Sequence, residues 1–267
     1  MKTIESALGV CVVGLACFIG GQTLGMRRAT QRQESTGAIA EHTATADAVR
    51  ALPLSESFGT AEPEMRVTNS AYTALPSMPS IDMRRRLMQS GNDSYIGDVV
   101  VARDSTVVRW PDRLMHPLRV WVDERGALTG WNSDFVPAVR DAFSTWVETG
   151  VPVHFDFIRD SASADIHVRF TERFANGISG KTVWSRDNAW WLVSSDIQLG
   201  LAHPNGGTVT PPQMRAIALH EVGHLLGLDH SRALDNIMSA RIRVRDLTDQ
   251  DRATVRSLYS VPAGSLR

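Results

Sequence analysis

The chain has 267 residues, enough for one mid-sized domain with extensions or for two small ones. A formal net charge of −1 gives no bulk electrostatic case for nucleic acid or an anionic membrane surface as a partner. Both cysteines, Cys11 and Cys17, lie in an N-terminal apolar stretch, so disulfides, cysteine zinc sites and cysteine nucleophiles are excluded from Phe18 onward.

Lys2 precedes an uncharged run from Ala7 to Gly21, rich in Val, Leu, Ala and Gly. The run is long for a signal-peptide core and short for a membrane span. Residues 1–26 therefore read equally as a cleaved signal peptide or a retained membrane anchor. Ala38-Ile39-Ala40 has the residue types of a cleavage site but lies far downstream, and Cys17 lacks the Leu that a lipidation box places three residues earlier. Arg27, Arg28 and Arg32 follow the run, and the positive-inside rule would put what comes next on the cytoplasmic side.

Residues 27–105 are dominated by Thr, Ser, Ala, Glu and Pro with no sustained apolar period. They read as a linker or pro-segment, largely disordered. Within them Asp82–Gln89 is either plain linker or a short basic helix with Met83, Leu87 and Met88 on one side. From Val107 the texture changes. Residues 106–262 are expected to form one folded domain, with 263–267 as a tail.

In that domain Leu118–Val122 alternates and predicts a strand. Phe135, Val139, Ala142, Phe143 and Trp146 fall at helical spacing, with Ser133 or Asp134 as cap and Gly150 near the end. Strands are predicted at Val153–Phe157, Ala164–Phe170, Lys181–Trp184, Trp191–Ser194 and Asp196–Leu199, then a turn at Pro204–Gly207. Thr210-Pro211-Pro212 opens a helix, Thr as cap and Pro tolerated in the first turn, which runs through Ile217, Leu219 and Leu225 and stops near Gly227. Thr248 and Asp251 begin a last helix in the manner of a capping box, with Val255, Leu258 and Tyr259 on its apolar side. This order predicts an α+β fold, a mixed sheet covered by helices.

The chemistry is concentrated in His220-Glu-Val-Gly-His-Leu-Leu-Gly-Leu-Asp-His230. Residues four apart on a helix share a face, so His220 and His224 can aim their imidazoles at one point, and neutral imidazole suits zinc. Glu221 is rotated by about 100° from His220 and can reach a water beside the metal without binding the metal. Gly227 adopts left-handed backbone angles cheaply, so the chain can turn and return His230 as a third ligand. Three protein ligands leave one tetrahedral position open, the mark of a catalytic zinc site. Zinc lowers the pKa of its water from about 15.7 to about 7.

These residues resemble the metzincin metalloproteases, which share this spacing followed by a methionine turn. Asn236-Ile-Met238-Ser-Ala240 looks like that turn, and the resemblance places Met238 as an apolar floor under the metal. Ser231 after the third His, and Leu247–Asp251 leading to Leu258-Tyr259, fit the matrixin branch. There an acidic residue at the Asp251 position is buried behind the methionine turn; simple helix capping is the other reading. The resemblance implies a zincin fold with a twisted mixed sheet, an active-site helix and a C-terminal helix. It implies a zinc-dependent endopeptidase with Glu221 as general base and His220, His224 and His230 as ligands to one catalytic zinc ion. A monomer acting on protein or peptide substrates is expected, extracytoplasmic, secreted or anchored through its N-terminal segment. The alternative is a catalytically inactive metzincin-like binding or scaffold module.

Two departures from the matrixin pattern stand out. Leu201-Ala-His203 only faintly echoes the loop that binds structural zinc and calcium in vertebrate matrixins, so neither ion is expected here. Residues 18–219 contain no cysteine, so the family's zinc-ligating pro-segment thiol is missing. Elsewhere, His154 and His167 read as surface or packing residues before they read as ligands. Trp184, Trp190 and Trp191 either line a substrate groove or belong to the core. Trp190–Ser194 is the candidate sheet edge on which a substrate would add as a strand. Arg241, Arg243 and Arg245 follow the methionine turn, either as a solvated loop or as the wall of a substrate pocket.

Overall fold

The computed structural model describes residues 57–69, 75–89 and 93–267. The reading of 1–26 as signal or anchor lies outside the described residues, as do Cys11, Cys17 and Ala38–Ala40. Among the described residues no helix is long and apolar enough to cross a membrane.

The chain enters through two short strands, β1 (Phe58–Gly59) and β2 (Glu64–Val67), and two helices, α1 (Ser80–Gln89) and α2 (Ile96–Ala102). There follow β3 (Thr106–Val107), β4 (Arg113–Val122), α3 (Phe135–Val147), β5 (Val153–Ile158), β6 (Ile166–Thr171), β7 (Gly180–Arg186) and β8 (Leu192–Gly200). The active-site candidate is α4 (Pro211–Leu225), and β9 (Arg241–Ile242), α5 (Asp249–Tyr259) and β10 (Gly264–Ser265) complete the fold. The main sheet has the order β2-β7-β8-β6-β4-β5. All neighbours are parallel except β7 and β8. This is the mixed α+β zincin architecture expected.

Helix α3 buries Phe135, Val139, Ala142, Phe143 and Trp146, the five positions whose spacing predicts it. Its cap differs from expectation: the Asp134 side chain makes no capping bond, and the Asn132 carboxamide oxygen instead accepts from the Asp134 N–H. Helix α3 packs on α4, which is buried nearly all round, as a helix at the centre of a core must be. Two buried indoles hold it in place, Trp146 donating to the Leu219 carbonyl at 2.8 Å and Trp110 to that of Leu225 at 2.8 Å. At its start the Gln213 side chain accepts from both the N–H and the hydroxyl of Thr210.

Three expectations are corrected. The segment 27–105 is not plain linker where it is described. Phe58, Met83, Leu87, Tyr95, Ile96 and Val99 are buried in the same core as the rest, and α1 spans the basic stretch, with Met83 and Leu87 inward but Met88 exposed. These elements are short and bury few side chains each, so they hold by contact with the domain rather than by their own periodicity. Residues 263–267 are not a free tail: β10 pairs with β3, and Leu266 is buried. Finally, Trp190–Ser194 is not a sheet edge. The two predicted strands there are one, β8, and it lies between β7 and β6. The outer side of β7 is taken by β2.

Candidate metal centre

His220 and His224 lie on α4 and are fully buried. Their Nδ1 atoms face backbone carbonyls, His220 that of Ile237 at 2.7 Å and His224 that of Leu228 at 3.0 Å. A carbonyl only accepts, so each Nδ1 carries the proton and each Nε2 presents its lone pair. Helix α4 ends in a Schellman motif, the Gly227 N–H bonding to the His224 carbonyl and the Leu228 N–H to that of Gly223. Gly227 sits at φ 100°. The chain then doubles back and brings His230 Nε2 to 3.2 Å from the Nε2 of both His220 and His224. Tetrahedral zinc with bonds of about 2.0–2.1 Å places its nitrogens about 3.3 Å apart. The donor set therefore fits one such ion, as the three imidazoles form one ligand cluster. Burial, and then the neighbouring imidazoles, push His220 well below the usual histidine pKa; His224 shifts the same way for the same leading reason. Both are neutral near pH 7, the form that binds metal.

Glu221 is fully buried beside them, against the inward face of β7. Its Oε2 accepts from the Thr182 hydroxyl at 2.6 Å, while Oε1 is buried without a hydrogen-bond partner. A Cβ on Gly180 would stand 2.3 Å from Oε1, so the carboxylate fits only because that position has no side chain. Burial pushes the Glu221 pKa up to about 8, and the Thr182 hydrogen bond partly opposes it. A cation at the three imidazoles would favour the ionised carboxylate. A lone buried oxygen next to a converging donor set is what a site built for a cation and a water requires.

Met238 is fully buried, and its Sδ would lie 2.2 Å from a Cβ on Gly223. It thus abuts α4 between the two helical histidines. The turn holding it is tied back by the Ser231 N–H to the Met238 carbonyl and by Asn236 to the Ser231 hydroxyl. Asp251 does both things weighed for it. It accepts from Thr248 as a cap and from the Ile237 N–H behind the turn, and it also takes the Tyr95 hydroxyl at 2.8 Å.

Several contributors were not visible in the motif. Asp229 accepts from the His230 N–H and pairs with buried Arg103 at 3.2 Å. Arg103 also donates to the Leu228 carbonyl and stacks over Trp184. Thr60 and Glu62 both reach His230. The Thr60 hydroxyl lies 3.1 Å from its Nε2 and Glu62 Oε1 lies 2.8 Å from its Nδ1. The other candidates fall away from the cluster. His154 is exposed on β5; His167, on β6, packs edge-on against Trp121; His203 stacks on Phe58. Trp184 and Trp191 are core residues, while Trp190 is half-buried at φ 72° beneath Arg186. Arg241 is exposed on β9, and Arg243 and Arg245 are half-buried.

Comparison with known proteins agrees with this geometry. Residues 129–260 match the matrixin family model. The chain is 28% identical over 148 residues to Metalloendoproteinase 1-MMP of Arabidopsis thaliana, covering 48% of this chain and 38% of that protein. It is 28% identical over 167 residues to Matrix metalloproteinase-15 of Homo sapiens, covering 51% and 23%. The matched region thus spans less than half the length of either relative.

Proposed function

Because this chain carries a matrixin-like metzincin catalytic domain, we propose that it is a zinc-dependent endopeptidase. The observation that carries the reading is the convergence of three imidazole Nε2 atoms beside a buried carboxylate with one oxygen free. His220, His224 and His230 hold the ion, and Met238 backs the helix that presents two of them. Zinc, when bound, supplies a Lewis acid that polarises the scissile carbonyl and makes water acidic enough to attack near neutral pH. Glu221 Oε1 takes the proton from the attacking water and passes it to the leaving amine. The folded unit that does this is 106–267 together with the described elements upstream that pack on it. It works outside the cytoplasm on protein or peptide substrates, as a monomer, secreted or held by residues 1–26.

Casein incubated with the zinc-loaded protein is expected to be cut. A chelator should stop the cutting and added zinc restore it. Casein left intact both by the whole chain and after proteolytic trimming N-terminal to residue 75 would overturn the reading.

Thr182 acts through Glu221. Its hydroxyl holds Oε2 and leaves Oε1 as the only oxygen able to face the water. Thr182→Val keeps the shape and removes the donor. A hydrogen bond to a charged group contributes about 1.5–3 kcal/mol, so kcat should fall by roughly 10- to 100-fold with KM little changed, and Thr182→Ser should recover most of it. A change confined to KM would show that Thr182 only shapes the groove.

A further inference from the structure

Arg103 is a buried charge to which the reaction above gives no part. It closes α2 as its C-cap, and its side chain is 4% exposed. Its backbone is pinned from both directions. The Arg103 N–H bonds to the Val99 carbonyl, and the Arg103 carbonyl accepts from the N–H and the hydroxyl of Thr106, at 3.1 and 2.6 Å. Asp104 and Ser105, in between, both sit at positive φ, 53° and 61°. That strained reversal turns the chain from α2 into β3 and fixes where the guanidinium starts.

From there the guanidinium reaches the backbone around two metal ligands. Its Nη2 donates to the Leu228 carbonyl at 3.1 Å, the same oxygen that accepts from His224 Nδ1 at 3.0 Å. A carbonyl oxygen has two lone pairs, and here both are engaged. Its Nε stands 3.2 Å from Asp229 Oδ2, while Asp229 Oδ1 accepts from the His230 N–H at 2.9 Å. The guanidinium also lies 4.4 Å from the ring centre of Trp184, on β7, two residues beyond the Thr182 that holds Glu221. One cation thus joins the ligand on the helix, the ligand returned by the loop, and the strand behind the base.

Stability alone does not call for a charge here. A buried ion pair is often no better than apolar side chains of similar volume, and such a side chain would also pack on Trp184. It could not aim the Leu228 carbonyl and the Asp229 carboxylate. Partners that orient imidazole ligands from outside the ligand set typically contribute about 10- to 100-fold in metal affinity.

We propose that Arg103 is a positioning residue of the metal centre, holding His224 through the Leu228 carbonyl and His230 through the Asp229 carboxylate at the spacing that one ion requires. The proposal rests on the metal site of the reading above and not on peptide hydrolysis. It places part of the centre ahead of residues 129–260, the stretch that matches the matrixin model.

The test uses the full chain and three readouts: zinc affinity by chelator competition, visible absorption of the cobalt-substituted protein, which reports ligand geometry, and thermal unfolding of the metal-free protein. The main variant is Arg103→Met/Asp229→Asn. Methionine fills the volume, and asparagine still accepts from the His230 N–H without stranding a charge. Its metal-free Tm should stay close to the parent's, its zinc Kd should rise by about 10- to 100-fold, and its cobalt bands should change in position and intensity. Arg103→Lys keeps the charge but offers a point donor in place of a planar fork, so it should recover part of the affinity. Parent-like zinc affinity and cobalt bands in the double variant would overturn the proposal, whether or not its Tm falls, and leave the peptidase reading intact. If the double variant does not fold, Arg103→Lys decides by the same two metal readouts, and parent-like values in it would overturn the proposal. Weakened zinc binding in the variants, with a parent that binds zinc and cuts no casein, would support the role of Arg103 and sink the peptidase reading.

Discussion

Glu221→Ala is expected to lower turnover by about 10²- to 10⁴-fold, the usual contribution of a positioned general base, and to leave zinc content unchanged. The direction follows from what Glu221 touches. Its carboxylate bonds to Thr182 on β7 and is not among the three groups whose nitrogens converge. Alanine therefore removes the proton acceptor without removing a ligand. Glu221→Gln sharpens the point, because the amide keeps the size of the side chain and can still accept from Thr182. It cannot take a proton from water, so it should be nearly as inactive. Kinetics on the zinc-loaded protein and metal analysis of the same samples check both variants. Near-normal kcat in either one would show that another group is the base. A parallel loss of zinc would show that Glu221 belongs to the metal's own shell.

The motif was legible because it is local. His220 and His224 meet by helical spacing alone, and Gly227 announced the reversal that returns His230. The period in Phe135–Trp146 was legible for the same reason. What the sequence hid is non-local. Trp190–Ser194 alternates as a strand should, but nothing within it says which strands lie on either side, and β8 lies inside the sheet. Gly180 and Thr182 look like any alternating strand positions. Their importance comes from facing Glu221, about 40 residues later in the chain, across the gap between sheet and helix. The region before residue 106 misled in another way. Its buried residues are sparse, two in α1 and two in α2, too few to set a readable period. One of its contributions is a buried charge, Arg103, held at Asp229, and burial has pushed its pKa down to about 10. A composition rich in Thr, Ser, Ala and Pro reads as linker until a partner surface for it is known, and that surface is the cleft and the α5 side of the domain.

Gly227→Ala should do the most damage per atom added. Two costs arise at once. The backbone there sits at φ 100°, where a side chain is strained by about 1–3 kcal/mol. A Cβ would also stand 2.1 Å from the Val108 carbonyl oxygen, a main-chain atom that cannot swing aside. Relief requires the end of α4 to shift from β3 and the residues after it, or the loop to His230 to unwind. Together the costs come to about 3–5 kcal/mol, among the larger single-residue effects, and they correspond to a loss of roughly 6–20 °C in Tm for a domain of this size. Either shift moves His230 relative to two histidines fixed on the helix, so zinc affinity should fall with stability, by at least about tenfold. Thermal unfolding with and without zinc, together with a zinc-chelator competition, measures both. Gly227→Asn separates the causes. Asparagine enters positive φ more readily than alanine but carries the same Cβ, so recovery of zinc binding in Asn would assign the loss to backbone conformation. An Asn variant as impaired as Ala would assign it to the close approach of Val108, and so to the packing of α4 on the chain just before β4.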